Sequence, residues 1–222
     1  MSVVQKVILK TRDGVKIVGD FYVTDSKKGV LLIHMMPATR FSWCDFAPML
    51  VGRGFNVLAV DLRGHGESNG GPNGYKSFSD SDHQKSILDA EAGLKFLEEK
   101  GIALENISLI GASIGANLAL WNLEDHPEIK QAVLLSAGLN YRGIKTEPLV
   151  KKLKTDQRIF FISSKDDVRS GGNNAEMNRE LYKLSSPRLD SKILIYKNAG
   201  HGTDMFGKES PDLDTEILNW LR

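Results

Sequence analysis

The chain is short of the features that would assign it to a special class. Its 222 residues include one cysteine, Cys44, so no disulfide can close within it. That agrees with a reducing compartment. Neither sign of charge is in excess: 29 Lys and Arg stand against 28 Asp and Glu, a net charge of +1. This near balance gives no electrostatic reason for a nucleic-acid or anionic-membrane partner. No apolar run approaches the length of a membrane span. The amino terminus, MSVVQKVILKTRDG, lacks the basic-then-apolar order of a secretory signal. Internal repeats, low-complexity tracts and interdomain linkers are also missing. What remains is a chain with 41% hydrophobic residues, suited to one α/β domain over residues 1–222 and expected in the cytoplasm.

The order of its segments predicts the architecture. Val3–Leu9 and Val15–Val23 are β-rich runs joined by Arg12-Asp13-Gly14, and Asp-Gly between such runs signals a hairpin. Val30–Ile33, Phe55–Val60, Ile107–Ile110, Gln131–Leu135, Arg158–Ile162 and Lys192–Tyr196 are apolar runs suited to strands buried on both faces. Between them, Ile87, Ala90, Leu94 and Leu97 recur at helical spacing through Asp82–Lys100. Further helices are expected at Phe46–Val51, Ala116–Leu123, Asn174–Leu184 and Asp212–Leu221. A hairpin followed by alternating strands and helices implies a mostly parallel central sheet with helices on both faces.

Residues 107–121, ISLIGASIGANLALW, carry the strongest chemical signal. Here G-x-S-x-G lies between a strand and a helix, a context that places Ser113 on a tight turn with its hydroxyl above the sheet. Serine is a poor nucleophile at neutral pH. It needs a base within hydrogen-bond reach and a carboxylate to orient that base. In this architecture both partners should follow Ser113 in the chain, each just past the end of a later strand. The run RIFFIS leads into Ser164-Lys165-Asp166-Asp167, and KILIY leads into Asn198-Ala199-Gly200-His201-Gly202. His201 is therefore the expected base. Asp166 is the expected acid because it stands nearer the strand end, with Asp167 as the alternative.

The remaining histidines fit less well. His34 and His65 sit at strand ends but precede Ser113, and they read as loop-packing residues. His83 reads as a solvated or first-turn helix residue, and His126 as a surface residue. Cys44 reads as a buried or half-buried thiol. Trp43 and Phe46 read as core, with a place lining the pocket as the alternative. An oxyanion needs backbone donors. The first expected donor is the N–H of Ile114. The second is the N–H of Met36, with Met35 as runner-up, because Pro37 has no N–H to give.

Taken in order, HMMP at 34–37, DLRGHGES at 61–68, GASIG at 111–115, the Asp166 loop and AGHG at 199–202 resemble the α/β-hydrolase superfamily. Within it the chain is similar to compact dienelactone-hydrolase-like and serine-aminopeptidase-like esterases. LSAGLNYRG at 136–144 resembles a segment of bacterial members. The resemblance implies an α/β-hydrolase fold with a minimal cap or none, and a serine esterase acting on a small-molecule ester without cofactor or metal. Two departures stand out. Met35 and Met36 occupy a loop where many relatives have His-Gly, and serine stands where true dienelactone hydrolases have cysteine. Asp61 and Arg63 are expected to brace their glycine-rich turn by charge. The short stretch 136–158 leaves little room for a large cap, which implies short or medium acyl chains. Thioesterase, small-peptide hydrolase and perhydrolase activities would share the machinery, and a silent ligand-binding homologue would share the fold.

Overall fold

A computed structural model describes residues 3–169, 171–186 and 189–221. Along the chain, strand β1 (Val3–Lys10) and strand β2 (Lys16–Val23) form the opening hairpin. Then come β3 (Lys28–Ile33), α1 (Ala47–Gly52), β4 (Phe55–Val60), α2 (Asp80–Gln84), α3 (Ile87–Glu99), β5 (Ile107–Ala112), α4 (Ile114–Asp125) and β6 (Gln131–Leu135). The small strands β7 (Asn140–Tyr141) and β8 (Ile144–Lys145) precede α5 (Thr146–Lys152) and β9 (Arg158–Ser164). A second small pair, β10 (Val168–Arg169) and β11 (Gly172–Asn173), leads into α6 (Asn174–Ser185), β12 (Asp190–Tyr196) and α7 (Leu213–Trp220).

Eight strands form one sheet in the order β1-β2-β4-β3-β5-β6-β9-β12. From β4 onward every pairing is parallel, whereas β2 is antiparallel to both of its neighbours. The fold is the expected one. Alternate residues of the central strands feed two separate cores. Leu31 and Ile33 pack with Leu94 and Leu97 of α3, Leu118 of α4, Val150 of α5 and Leu181 of α6. Val30 and Leu32 face the other way, with Leu50 of α1 and Leu213 and Ile217 of α7. Covering both faces is what makes these strands read as unbroken apolar runs.

The strand order reverses between β3 and β5, because β4 lies on one side of β3 and every later main strand lies on the other. In open α/β sheets the carboxyl ends of the strands at such a switch point leave a crevice. Here that crevice receives the loop after β3 and the turn after β5.

Three expectations are corrected. The helix expected over Asp82–Lys100 is two helices. A capping box joins Ser79 and Asp82 at the start of α2, and the chain turns at Lys85–Ser86 before α3. That turn buries His83 against the Phe78 ring, 5.4 Å between centroids, so His83 is not solvated. Cys44 is exposed rather than buried, because Trp43 takes the inward position of the turn. Trp43 and Phe46 are core residues. Residues 136–158 hold only the β7–β8 hairpin and α5 before β9 begins. Among the described residues no helix is long and apolar enough to cross a membrane, and no group of three or more His, Cys, Asp and Glu is placed to hold a metal ion.

Candidate active site

Ser113 has φ 56° and ψ −120°, a left-handed conformation that a non-glycine residue rarely adopts. It precedes α4, yet its side chain makes no capping bond to that helix. The turn is pinned from both sides: Ser113 N–H donates to the Leu135 carbonyl at 2.8 Å, and Ala116 N–H donates back to Ser113 at 2.9 Å. The flanking glycines are steric necessities. A Cβ on Gly111 would lie 2.1 Å from the Gly115 carbonyl oxygen, and one on Gly115 would lie 2.3 Å from that of Ile33. G-x-S-x-G is thus the composition that lets α4 approach β5 and β3 this closely.

His201 enters on a loop held from the carboxyl ends of β6 and β9. Ala199 N–H donates to Ser164 Oγ at 2.8 Å, and Gly202 N–H donates to Ser136 Oγ at 2.9 Å. The His201 side chain is buried, and its Nδ1 lies 2.6 Å from Asp167 Oδ2. This corrects the expectation for Asp166. Strand β9 runs two residues further than expected, to Ser164, and a turn closed by Asp167 N–H to the Ser164 carbonyl follows at 3.2 Å. The turn carries Asp167 inward to the imidazole. Asp166 instead accepts from Ser164 Oγ and from Gly200 N–H at 3.2 Å, and the Ser164 hydroxyl, followed by the Gly200 amide, holds its carboxyl below the usual range. Asp166 therefore braces the histidine loop.

The Met35–Met36 peptide has a fixed direction. His34 Nδ1 lies 2.8 Å from the Met35 carbonyl oxygen, and Leu62 N–H donates to His34 Nε2 at 2.9 Å. Since Nε2 accepts, Nδ1 carries the proton and donates to Met35. In a trans peptide the N–H points opposite to the C=O. Holding the Met35 carbonyl against His34 therefore turns the Met36 N–H away from it. Met35 is buried, packed in the core beneath the histidine loop, whereas Met36 lines the cleft.

Burial, reinforced by the nearby His65, lowers His34 from its ordinary 6.5 to about 3. The unfolded chain takes up this proton near pH 6.5 and the folded chain does not. The stabilisation is complete above about pH 6.5 and drains away as pH falls toward about 3. His65 and His83, also lowered by burial, act in the same sense. Urea unfolding is expected to show stability falling by up to about 1.4 kcal/mol per pH unit for each such histidine below pH 6.5. A flat profile from pH 6.5 to 5 would contradict a neutral buried His34.

Asp61 and Arg63 brace their turn as expected, though not through each other. Asp61 is fully buried and accepts from Arg40 N–H at 2.8 Å, from the Arg40 guanidinium and from Glu67 N–H at 2.9 Å. Arg63 spans Asp89 and Asp13 with contacts of 2.8 Å to each. His34 and His65 pack within this framework, 4.9 Å apart between ring centroids.

Ser113, Ile114, Met36 and His201 line one cleft of about 680 Å³. Asp167 lies behind His201. No hydrogen bond engages the Ser113 hydroxyl among the described residues. The cleft also receives Tyr75, Tyr141, Arg142 and Arg169, which the sequence reading did not single out. Tyr141 and Arg142 lie in the 136–144 segment, and Arg169 stands two residues beyond Asp167. Those adjacencies were the available signal.

A parallel sheet with a strained serine between strand and helix at its switch point, and an imidazole–carboxylate pair beyond two later strands, defines the α/β-hydrolase class. The chain belongs to that family: residues 29–185 match its model, described as the alpha/beta hydrolase fold. It is 27% identical over 124 residues to a thermostable monoacylglycerol lipase of Bacillus sp. (strain H-257), covering 56% of this chain and 46% of the lipase. It is 32% identical over 135 residues to bifunctional epoxide hydrolase 2 of Sus scrofa, covering 60% of this chain and 22% of that protein. The chain thus matches less than half the length of these curated relatives, which are hydrolases. An esterase of Pyrococcus furiosus superposes with a TM-score of 0.80 at 21% identity, covering 99% of this chain and 90% of that one. Dienelactone hydrolase of Anabaena variabilis gives 0.76 at 16% identity, covering 99% and 94%. At these identities the superpositions show a shared fold.

Proposed function

We propose that the chain is a serine hydrolase that cleaves carboxylic esters of short to medium acyl length through an acyl-enzyme. One observation carries the reading. The Ser113 hydroxyl, on strained backbone and free of helix capping, opens on the cleft lined by His201, whose far nitrogen meets Asp167 at 2.6 Å. Ser113 Oγ attacks the ester carbonyl and His201 Nε2 takes its proton. Asp167 keeps the other proton on Nδ1 and stabilises the imidazolium. The N–H groups of Ile114 and Met36 receive the oxyanion. Ile114 opens α4, so its N–H has no carbonyl a turn behind it. His201 then protonates the leaving alcohol and activates water to release the acid. These steps need neither metal nor cofactor.

The lipase and esterase named among the relatives support ester chemistry. The small hairpin and single helix in residues 136–158 support a modest acyl group. The single cysteine supports a cytoplasmic setting. Fluorophosphonate should label the folded protein and leave Ser113→Ala unlabelled. Unlabelled wild-type protein would favour a silent ligand-binding homologue. Comparing p-nitrophenyl esters, acyl-CoA and aminoacyl-anilides should show the esters turned over best. A preference for either other substrate would reassign the leaving group.

A further inference from the structure

Tyr141 and Arg169 share the cleft with Ser113 and His201, and the hydrogen-bond direction at Tyr141 is dictated from within the protein. The two protons of Asn178 Nδ2 serve three acceptors: the Ala137 carbonyl at 2.8 Å takes one, and the Asn174 carbonyl at 2.9 Å and Asn174 Oδ1 at 3.0 Å share the other. Reversing the Asn178 amide would set its oxygen against two carbonyl oxygens, so its orientation is fixed. Asn174 Oδ1 is then an acceptor, and Asn174 Nδ2 donates to the Tyr141 hydroxyl oxygen. A phenol that accepts one bond still has its own proton to give. Among the described residues nothing accepts it. Burial, then the charge of Asp167, pushes the phenol up to about 12, so the proton is present at any working pH.

Arg169 presents the second donor. Its Nε contacts Asp167 Oδ1 at 3.3 Å, while its terminal amino groups have no partner among the described residues. The side chain is half exposed at the cleft. Arg142 differs, because the carboxylate 3.7 Å from its guanidinium, Asp80, itself lines the cleft and would repel an anion there, whereas Asp167 lies behind His201. An ammonium group would be repelled by Arg169 and would offer Tyr141 no lone pair. A carboxylate or phosphate oxygen accepts from both.

We propose that the Tyr141 hydroxyl and the Arg169 guanidinium form a subsite for an anionic oxygen group, so that the preferred ester carries a carboxylate or a phosphate. The substrate assignment rests on the ester-hydrolase reading. The binding assignment does not.

Two matched pairs test it: p-nitrophenyl hydrogen succinate against p-nitrophenyl butyrate, and butyrylglycerol phosphate against butyrylglycerol. Wild type should favour the anionic member of one pair by about tenfold or more in kcat/KM, and that pair identifies the anion. In Tyr141→Phe and Arg169→Gln the anionic-to-neutral ratio should fall at least about threefold, mainly through KM, and salt should lower it in wild type. Tyr141→Phe keeps the ring that packs on Gly138, so it serves if Arg169→Gln folds poorly. A fluorophosphonate-labelled enzyme with no anionic preference in either pair would overturn the subsite and leave the hydrolase reading standing. If wild type is neither labelled nor active, the hydrolase reading has failed. Titration of Ser113→Ala with monomethyl and dimethyl succinate and with glycerol phosphate and glycerol then decides the subsite alone. About tenfold tighter binding of either anion supports it, and equal binding in both pairs overturns it.

Discussion

Asp167→Asn is expected to lower kcat by about 10⁴-fold with little change in KM. The imidazole at 201 needs an acceptor at Nδ1, and Asp167 Oδ2 supplies it at 2.6 Å. An asparagine amide turned toward that nitrogen donates instead and stabilises the wrong tautomer, with the proton on Nε2 where a lone pair is needed. Asp166→Asn should cost only about tenfold or less, because an amide oxygen can still accept from Gly200 N–H and keep the loop in place. Steady-state hydrolysis of one p-nitrophenyl ester by both variants separates the roles of these adjacent carboxylates. Equal losses, or the larger loss at 166, would reverse the assignment.

Gly115→Ala is expected to destabilise the protein by about 4 kcal/mol or more and to depress activity in whatever folds. The added methyl would lie 2.3 Å from the Ile33 carbonyl oxygen and 2.6 Å from that of His34. Both are backbone atoms, so no side-chain rotation relieves the clash. Helix α4 would have to move off β3, separating Ser113 and Ile114 from the loop that carries Met36. Gly52→Ala is the control. It lies at the end of α1 with nothing within 4 Å of the new methyl, and it should be neutral or stabilise by up to about 1 kcal/mol. Urea denaturation of both variants measures the contrast, and similar midpoints would contradict the steric account.

Much of the fold was legible because each central strand is buried on both faces and so stays apolar without interruption. The serine turn was legible for a related reason: two glycines mark where backbone meets backbone. The placement of His201 followed from a strand end, which hydrophobic pattern locates well. The choice between Asp166 and Asp167 was not legible. It depends on where β9 stops and on the turn that closes from Asp167 N–H to the Ser164 carbonyl, and apolar pattern specifies neither. Apolar periodicity likewise could not reveal the break between α2 and α3, because α2 (DSDHQ) offers no apolar residue to set a phase and the side chain it buries is a histidine. The direction of the Tyr141 proton lay beyond any pattern, because it is imposed by asparagines more than thirty residues downstream.

The loop bearing His201 is fastened to Ser136, just past β6, and to Ser164, the last residue of β9, rather than to the strand that delivers it. That delivering strand, β12, lies at the margin of the sheet with most of its residues only half-buried. Fraying concentrates at such margins. The imidazole at 201 is thereby tied to β6 and β9, so its position depends less on breathing of the outermost strand.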